Sequence, residues 1–393
     1  MAFSTTIPAP SGCRLGAGVS ALALAVVLGL GSAEARDLEL SERPDAGEGE
    51  FWLFHEIVAD EMMAAFQEVV GAPGEAVAVD VDRPVEIAVV YPSHDVSDFW
   101  LRNFLAMEAR LEELGIPFNA TQFASGMGDH ELQATYTDQV IQSADLFDYV
   151  IFGPTELSLQ QDNIKRLIDE PGIEVIVWNY DLALKEWGDE QPLAYAAFSH
   201  LAGALNMCEW VVEALGTEGT YALVRGTPGS IDDQRSGGFR ECLEERSDWE
   251  MAYEHYGNFL REGGYEATQL ITSAYPDVTL IHNANTAMAM GSLSSVLAQG
   301  RVDELVVTAW GGTGDELEAL RLGELAATPM RMSDDVGVAT AEYIRYHLED
   351  RLDETPLVFV GRITIVHRDM DVEAIDDMER EAFRYTGVGT LER

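Results

Sequence analysis

Arg235 and Arg331 carry the clearest chemical content of this chain. Its 393 residues hold 69 Asp plus Glu against 24 Lys plus Arg, so a basic side chain in a special place is informative. Each of these two lies just past a predicted strand or at its end, in an alternating strand and helix pattern. In open α/β sheets that end of the strands is where ligands bind. A guanidinium presents planar paired donors and keeps its charge, so two of them there would grip a small anionic or oxygen-rich ligand. For either arginine alone, a structural ion pair is the competing reading.

Other residues recur at the same kind of place. The segment Tyr91 to Trp100 spans the junction of the first strand and first helix. Asp95 or Ser97 could cap that helix, or could face a crevice with the free amide donors. Trp100, one turn further on, could wall a pocket or simply join the core. Asn179 follows a strand and could be a turn residue or hold a ligand hydroxyl. Thr286 has the same two readings, as helix cap or ligand contact. Trp310 precedes Gly311-Gly312, a pair that permits a tight turn and close backbone approach. Each signal is weak alone; their shared position is what counts.

Catalytic patterns are missing. There is no Gly-x-Ser-x-Gly elbow and no Walker loop. The 8 histidines are scattered and none forms a helical two-His zinc motif. His94 beside Asp95 is the one pair placed to move a proton. No carboxylate pair suits glycoside hydrolysis. The chain therefore reads as a binding protein and not an enzyme, with no metal and no cofactor.

The elements that must position these residues alternate regularly, which points to parallel sheets. Residues 1–35 read as a secretory signal peptide, because 15–33 carry no charge and Ala33-Glu34-Ala35 offers a cleavage site. An uncleaved membrane anchor is the alternative. Residues 36–83 form an acidic helical extension and linker, with Phe51, Trp52, Phe54 and Ile57 able to dock it. Two series of strands and helices follow. The expected fold is α/β, two doubly wound parallel-sheet lobes joined by three crossings near Leu193, Gly312 and Pro356. Lobe 1 takes 84–193 plus 313–356, and lobe 2 takes 194–312 plus 357–370. Residues 371–393 are a C-terminal helix and tail. This division gives Ser97, Trp100, Asn179 and Arg331 to lobe 1, and Arg235, Thr286 and Trp310 to lobe 2 and the hinge. Leu357–Val366 is expected as a single strand. Cys208 and Cys242 could pair in an oxidising compartment. Both fall in predicted helices, and buried free thiols are the expectation.

At these residues the chain resembles the LuxP-type receptors for autoinducer-2, a branch of the sugar-binding type I periplasmic binding proteins. The resemblance runs from about Phe51 to about Tyr385. It is carried by Val96-Ser97-Asp98-Phe99-Trp100-Leu101-Arg102-Asn103, Trp310-Gly311-Gly312, Met330-Arg331-Met332-Ser333-Asp334-Asp335 and Ala382-Phe383-Arg384-Tyr385. It implies a periplasmic receptor for a furanosyl borate diester, with borate belonging to the ligand. It also implies ligand contacts at Ser97, Trp100, Asn179, Arg235, Thr286, Trp310 and Arg331, and an inner-membrane hybrid sensor kinase of the LuxQ type as partner. Asp95 stands where that branch has a glutamine, and Gly153 and Thr155 stand where it has a threonine and an acid. An ionised Asp95 about 4 Å from an anion would cost on the order of 4 kcal/mol at an effective dielectric near 20. Either Asp95 accepts ligand hydroxyls, or it points away, or the ligand is neutral. The alternative function is the binding protein of a sugar importer, which shares the fold and the cleft.

The formal net charge is -45. That opposes nucleic acid and anionic membrane surfaces as partners, and a repressor of the same architecture is excluded with them. The acids are spread along the chain, as on surfaces adapted to high salt, where screening limits self-repulsion. Removing salt from the purified protein should therefore unfold it, as followed by circular dichroism; an unchanged spectrum would remove the saline reading.

Overall fold

The computed structural model describes residues 38–43, 50–93, 97–126 and 128–389. The signal-peptide reading, and the calls on His94 and Asp95, lie outside these residues. Numbered in chain order, the strands are β1 (Phe51–Leu53), β2 (Val85–Pro92), β3 (Phe118–Ser125), β4 (Tyr149–Phe152), β5 (Glu174–Trp178), β6 (Leu182–Leu184) and β7 (Ala194–Phe198). They continue with β8 (Glu218–Arg225), β9 (Asp248–Tyr256), β10 (Leu280–Asn283), β11 (Val306–Thr308), β12 (Ala327–Arg331), β13 (Val358–Gly361) and β14 (Ile363–His367).

Two six-stranded sheets define the lobes. The first runs in the order β13-β7-β5-β4-β2-β3 and its pairings are all parallel. The second runs β14-β12-β11-β10-β8-β9, with only β14 antiparallel to its neighbour. Strands buried on both faces read as unbroken apolar runs, and Ala88–Val90, Val150–Phe152 and Ala194–Phe198 are wholly inaccessible. Both lobes belong to one unit, Ala35–Arg393.

The helices cover the sheets. In chain order they begin α1 (Phe54–Ile57), α2 (Asp60–Gly71), α3 (Asp98–Glu113), α4 (His130–Gln142), α5 (Leu157–Ile168) and α6 (His200–Leu215). Next come α7 (Ser230–Asp232), α8 (Gly238–Arg246), α9 (Arg261–Ala274), α10 (Thr286–Ala298), α11 (Gly314–Arg321), α12 (Asp335–Leu348) and α13 (Val372–Ala382). Helices α2, α3, α4, α5 and α12 pack on lobe 1, while α6 and α8 to α11 pack on lobe 2. The N-terminal extension packs on the body through a strand as well as helices. Trp52 is buried between the cations of Arg43 and Lys185, and β1 pairs with β6 in a small antiparallel sheet.

The expected lobe boundaries are corrected by the sheets. Strands β7 and β13 belong to lobe 1 and β12 to lobe 2, so the crossings fall near Ser199, Ser333 and Arg362. The reason is register. Each crossing strand stays hydrogen-bonded along its whole length before the chain leaves the sheet, as β7 does against both β5 and β13. The single strand expected over 357–366 is in fact β13 and β14, one in each lobe, parted at Arg362. Gly361 lies against Phe198 there, and an added Cβ would stand 2.4 Å from its ring.

A further connection joins the lobes through the C-terminus. Helix α13 sits on lobe 2 through Ile375 and Ala382, with Phe383 just after it. The tail then returns to lobe 1. Buried Arg102 of α3 donates to Thr386 Oγ1 at 2.8 Å and to Gly387 O at 2.9 Å. At the hinge, the Asp334 carboxylate accepts from the backbone N–H of Tyr385 at 2.8 Å.

Cys208 and Cys242 form a disulfide, not free thiols. Helices α6 and α8 pack against each other on lobe 2, and the Cα atoms stand 6.2 Å apart, within bonding reach. That proximity is a product of tertiary packing and leaves no trace in the spacing. The bond spans 34 residues, so reducing it, or making Cys208→Ser with Cys242→Ser, should lower unfolding free energy by roughly 2–4 kcal/mol. Urea denaturation with and without reductant measures this.

Candidate functional site

The ends of the strands from both sheets converge on one cleft. Its lining includes Ser97, Phe99, Trp100, Thr155 and Asn179 from lobe 1, and Arg235, Phe259, Thr286, Trp310 and Arg331 from lobe 2. The empty volume is about 520 Å³, counting the part that opens to solvent. Seven of the eight residues expected to touch ligand are thus brought together; the eighth, Asp95, lies outside the described residues. One expectation is corrected. Arg331 ends β12, so both arginines belong to lobe 2, and Phe99 of lobe 1 faces Arg331 at 4.1 Å.

Each position has a local cause. Ser97 caps α3, accepting from the backbone N–H of Phe99 at 3.2 Å, and it lines the cleft as well, so both of its readings hold together. Asn179 leaves β5 in the left-handed region, φ 68, which an asparagine tolerates. Asn285 caps α10 by accepting from Met288 N–H at 2.9 Å, which frees Thr286 from that duty. Arg235 rides on a single π-helical turn, Asp233–Gly237, inside what the spacing predicts as one regular helix. Such turns recur at functional sites because they reset which side chains face inward.

Both tryptophans rest on glycine. A Cβ on Gly153 would come 2.6 Å from the Trp100 ring, and one on Gly203 would come 2.6 Å from the Trp310 ring. The indoles can lie flat only because these two positions carry no side chain.

The electrostatics single out the two arginines. Arg102, Arg110, Arg225 and Arg345 are also buried, and each has a carboxylate within 3.0 Å. Among the described residues Arg235 and Arg331 have no carboxylate within ion-pair distance. Aromatic faces stand in instead. The Arg235 Cζ lies 3.7 Å from the Trp310 ring centre, and the Arg331 Cζ lies 5.5 Å from the same ring. Arg235 Nη1 donates to Ala284 O at 2.9 Å, and Arg331 Nε donates to Gly311 O at 3.1 Å. Burial pushes both guanidiniums down from 12.5, Arg331 to about 10, and the Arg331 charge adds to the effect on Arg235. A guanidinium still holds its proton at neutral pH, so two positive charges share one buried wall.

Polar atoms at the site are incompletely matched. Asn179 Oδ1 and Trp310 Nε1 are buried with no hydrogen-bond partner among the described residues. An unmatched buried donor or acceptor costs roughly 1–3 kcal/mol. Glu316, fully buried behind Gly311-Gly312, accepts from Gly312 N–H at 2.5 Å and from the Thr328 hydroxyl at 2.6 Å. Burial pushes its carboxyl up.

Sequence reasoning missed Phe99, Ile231, Phe259 and Asn285 in the lining, and His200 and Glu316 behind it. Phe99 could have been found as the neighbour of Trp100 within a stretch already singled out. Phe259 could not. It sits in the left-handed region, φ 61, over Gly226, where an added Cβ would meet its ring at 2.0 Å.

The fold and the site define a two-lobed binding protein of the periplasmic type I class. Comparison with known proteins agrees. The sequence profile described as "Periplasmic binding protein domain" matches residues 87–351, and the chain belongs to that family. A D-apiose import binding protein of Actinobacillus succinogenes is 24% identical over 276 residues, covering 66% of this chain and 82% of that protein. A ribose import binding protein of Salmonella typhimurium is 25% identical over 151 residues, 38% of this chain and 50% of that one. A solute-binding protein from Agrobacterium vitis, solved with alpha-D-tagatopyranose, superposes with a TM-score of 0.66 at 19% identity, covering 75% of this chain and 98% of that one. These relatives bind solutes and are not enzymes, which agrees with the expectation of binding without turnover. Among the described residues no helix is long and apolar enough to cross a membrane.

The lobes meet beside the cleft. Glu156 of lobe 1 is 2% exposed, and Gly229 of lobe 2 lies against it, where an added Cβ would stand 2.4 Å from the carboxyl. Burial pushes the Glu156 carboxyl up to about 7, against N–H donors from Ser158 and Leu157, and Asp233 adds to the rise. The neutral form is therefore the one the shut lobes favour. Its contribution is complete below the ordinary value of 4.5 and is lost as pH rises through about 7. Thermal stability should decline between pH 5 and 8, and Glu156→Gln should make that decline shallower in scanning calorimetry.

Proposed function

We propose that this chain is an extracytoplasmic solute-binding protein that closes its lobes over one small furanose-type sugar and delivers it to an importer. The observation that carries the reading is the cleft itself. Donors and aromatic faces from both lobes converge on one point, and a ligand that bridges them stabilises the shut form. The Actinobacillus relative, a binding protein for import of the branched pentose D-apiose, supports delivery of a sugar of that size. Flat indole and phenyl faces suit the apolar face of a sugar ring, and the unmatched Asn179 Oδ1 suits a ring hydroxyl.

A second reading rests on a separate observation. Two buried guanidiniums with no ion-paired carboxylate among the described residues exceed what a neutral pentose needs, and they suit a ligand carrying negative charge. The furanosyl borate diester form of autoinducer-2 is such a ligand. In that case the closed form would be presented to a hybrid sensor kinase of the LuxQ type. An ionised Asp95 facing the ligand, as one of its sequence readings has it, would oppose the charged form and favour a borate-free one.

Calorimetric titration in high salt with D-ribose, D-apiose, and autoinducer-2 with and without borate separates the readings. Binding of a pentose with no response to autoinducer-2 supports import. Borate-dependent binding of autoinducer-2 supports the signal receptor. In either case Arg235→Ala and Arg331→Ala should each weaken the bound ligand by roughly tenfold or more, the loss of a charged hydrogen-bond partner. Wild-type affinity in both variants would remove these residues from the site.

A further inference from the structure

We infer that His200, which does not line the cleft, is the positioning residue that aims Arg235 and ties it to Asn179 on the opposite lobe. The inference rests on the cleft being the ligand site, and it names the part that lets one lobe sense the other.

His200 opens α6, immediately after the chain leaves β7 at the first crossing. Its ring is fully buried and lies 5.4 Å from the Trp310 ring. Nε2 stands 2.8 Å from the backbone oxygen of Asn179. Nδ1 stands 3.3 Å from Arg235 Nε and 3.2 Å from Arg235 Nη2. The partners dictate the proton. A carbonyl only accepts and a guanidinium only donates, so Nε2 carries the hydrogen and Nδ1 offers its lone pair. A second proton on Nδ1 would point at a cation. Burial, and then the Arg235 charge, accordingly push the imidazole well below its ordinary value of 6.5.

The loop after β5 holds the same helix end by a second grip. Asp181, 2% exposed, accepts from the Ser199 hydroxyl and the backbone N–H of His200. Gln234, one residue before Arg235, reaches Asp181 at 3.5 Å. The stretch Asn179–Asp181 of lobe 1 therefore grips the first turn of α6 and the arginine turn of lobe 2 together. Asn179 and Arg235 both line the cleft. Among the described residues Arg235 has no ion-paired carboxylate, so the imidazole lone pair and the Ala284 carbonyl are what aim it. A shift of the lobes about the first crossing must move the ring relative to one partner or the other.

The test separates this role from plain packing. In the ligand-free wild type, nitrogen-15 NMR should show one histidine ring as the Nε2–H tautomer, unchanged from pH 5 to 8 and missing in His200→Gln. The Arg235 Nε–H resonance, assigned by its loss in Arg235→Lys, should persist in His200→Gln and vanish in His200→Leu. Glutamine keeps one donor and one acceptor, whereas leucine keeps the bulk alone. With whichever of D-ribose, D-apiose or borated autoinducer-2 binds the wild type, His200→Leu should weaken affinity about tenfold. His200→Gln should recover most of that loss. An Nδ1–H ring, a ring that titrates in this range, an Arg235 signal unchanged in His200→Leu, or equal affinity in the leucine variant and wild type would each overturn the inference. If none of the three ligands binds, the sugar reading fails by itself, and the spectra still decide the role of His200.

Discussion

Two positive charges buried on one wall, with no carboxylate among the described residues within ion-pair distance, are the constraint around which the cleft is arranged. In a chain so rich in acids, an arginine readily finds a carboxylate partner. The buried arginines of the scaffold do so. Arg110 meets Glu342 and Arg225 meets Asp232 with fully buried carboxylates. Arg235 and Arg331 are instead laid against Trp310, whose face offers a weaker and less localised negative potential. The aromatic wall keeps both guanidiniums in place without consuming their directed donors. The donors not already given to His200, the Ala284 oxygen and the Gly311 oxygen are then available to oxygens of a guest.

Most of the surrounding structure serves that wall. Gly153 and Gly203 let the two indoles lie close against strand and helix. Gly311 and Gly312 bring the backbone beside Arg331, so that its Nε is tied to the Gly311 oxygen. Glu316 holds the amide of Gly312 from behind. The π turn at Asp233–Gly237 carries Arg235, which lines the cleft. Hinge and site are also not separable. The first crossing places His200 within hydrogen-bond reach of a residue from each lobe, so the geometry that joins the lobes is the geometry that aims the arginine.

The apolar interior shows how firmly the lobes are shut. One buried cluster runs from Val89, Phe152 and Trp178 of lobe 1 through to Val224, Phe259 and Met288 of lobe 2. Opening the cleft would wet part of that cluster, and the C-terminal tail held by Arg102 and Asp334 would have to follow. Closure thus draws on hydrophobic burial as well as on the ligand.

Apolar runs such as Val85–Tyr91 and Tyr149–Phe152 were legible as buried strands because local apolar pattern and strand length agree. Their C-terminal ends were legible as a ligand crevice because parallel sheets leave their loops there. Ser97, Trp100, Asn179, Arg235, Thr286, Trp310 and Arg331 could be picked out as cleft-lining residues on that ground, together with the resemblance read from the sequence. Which lobe holds Arg331 was not legible, since β12 pairs with a strand far off in the chain. Nor was the break at Arg362, which separates two strand-like runs that serve two different sheets. The Cys208–Cys242 bond depends on two helices meeting face to face, and the role of His200 depends on partners 21 and 35 residues away. Residue type and local period settled the architecture and the chemical character of the cleft. Strand order, hinge position and the partners of each buried polar atom were decided only in three dimensions, because they are contacts between segments that no local pattern connects.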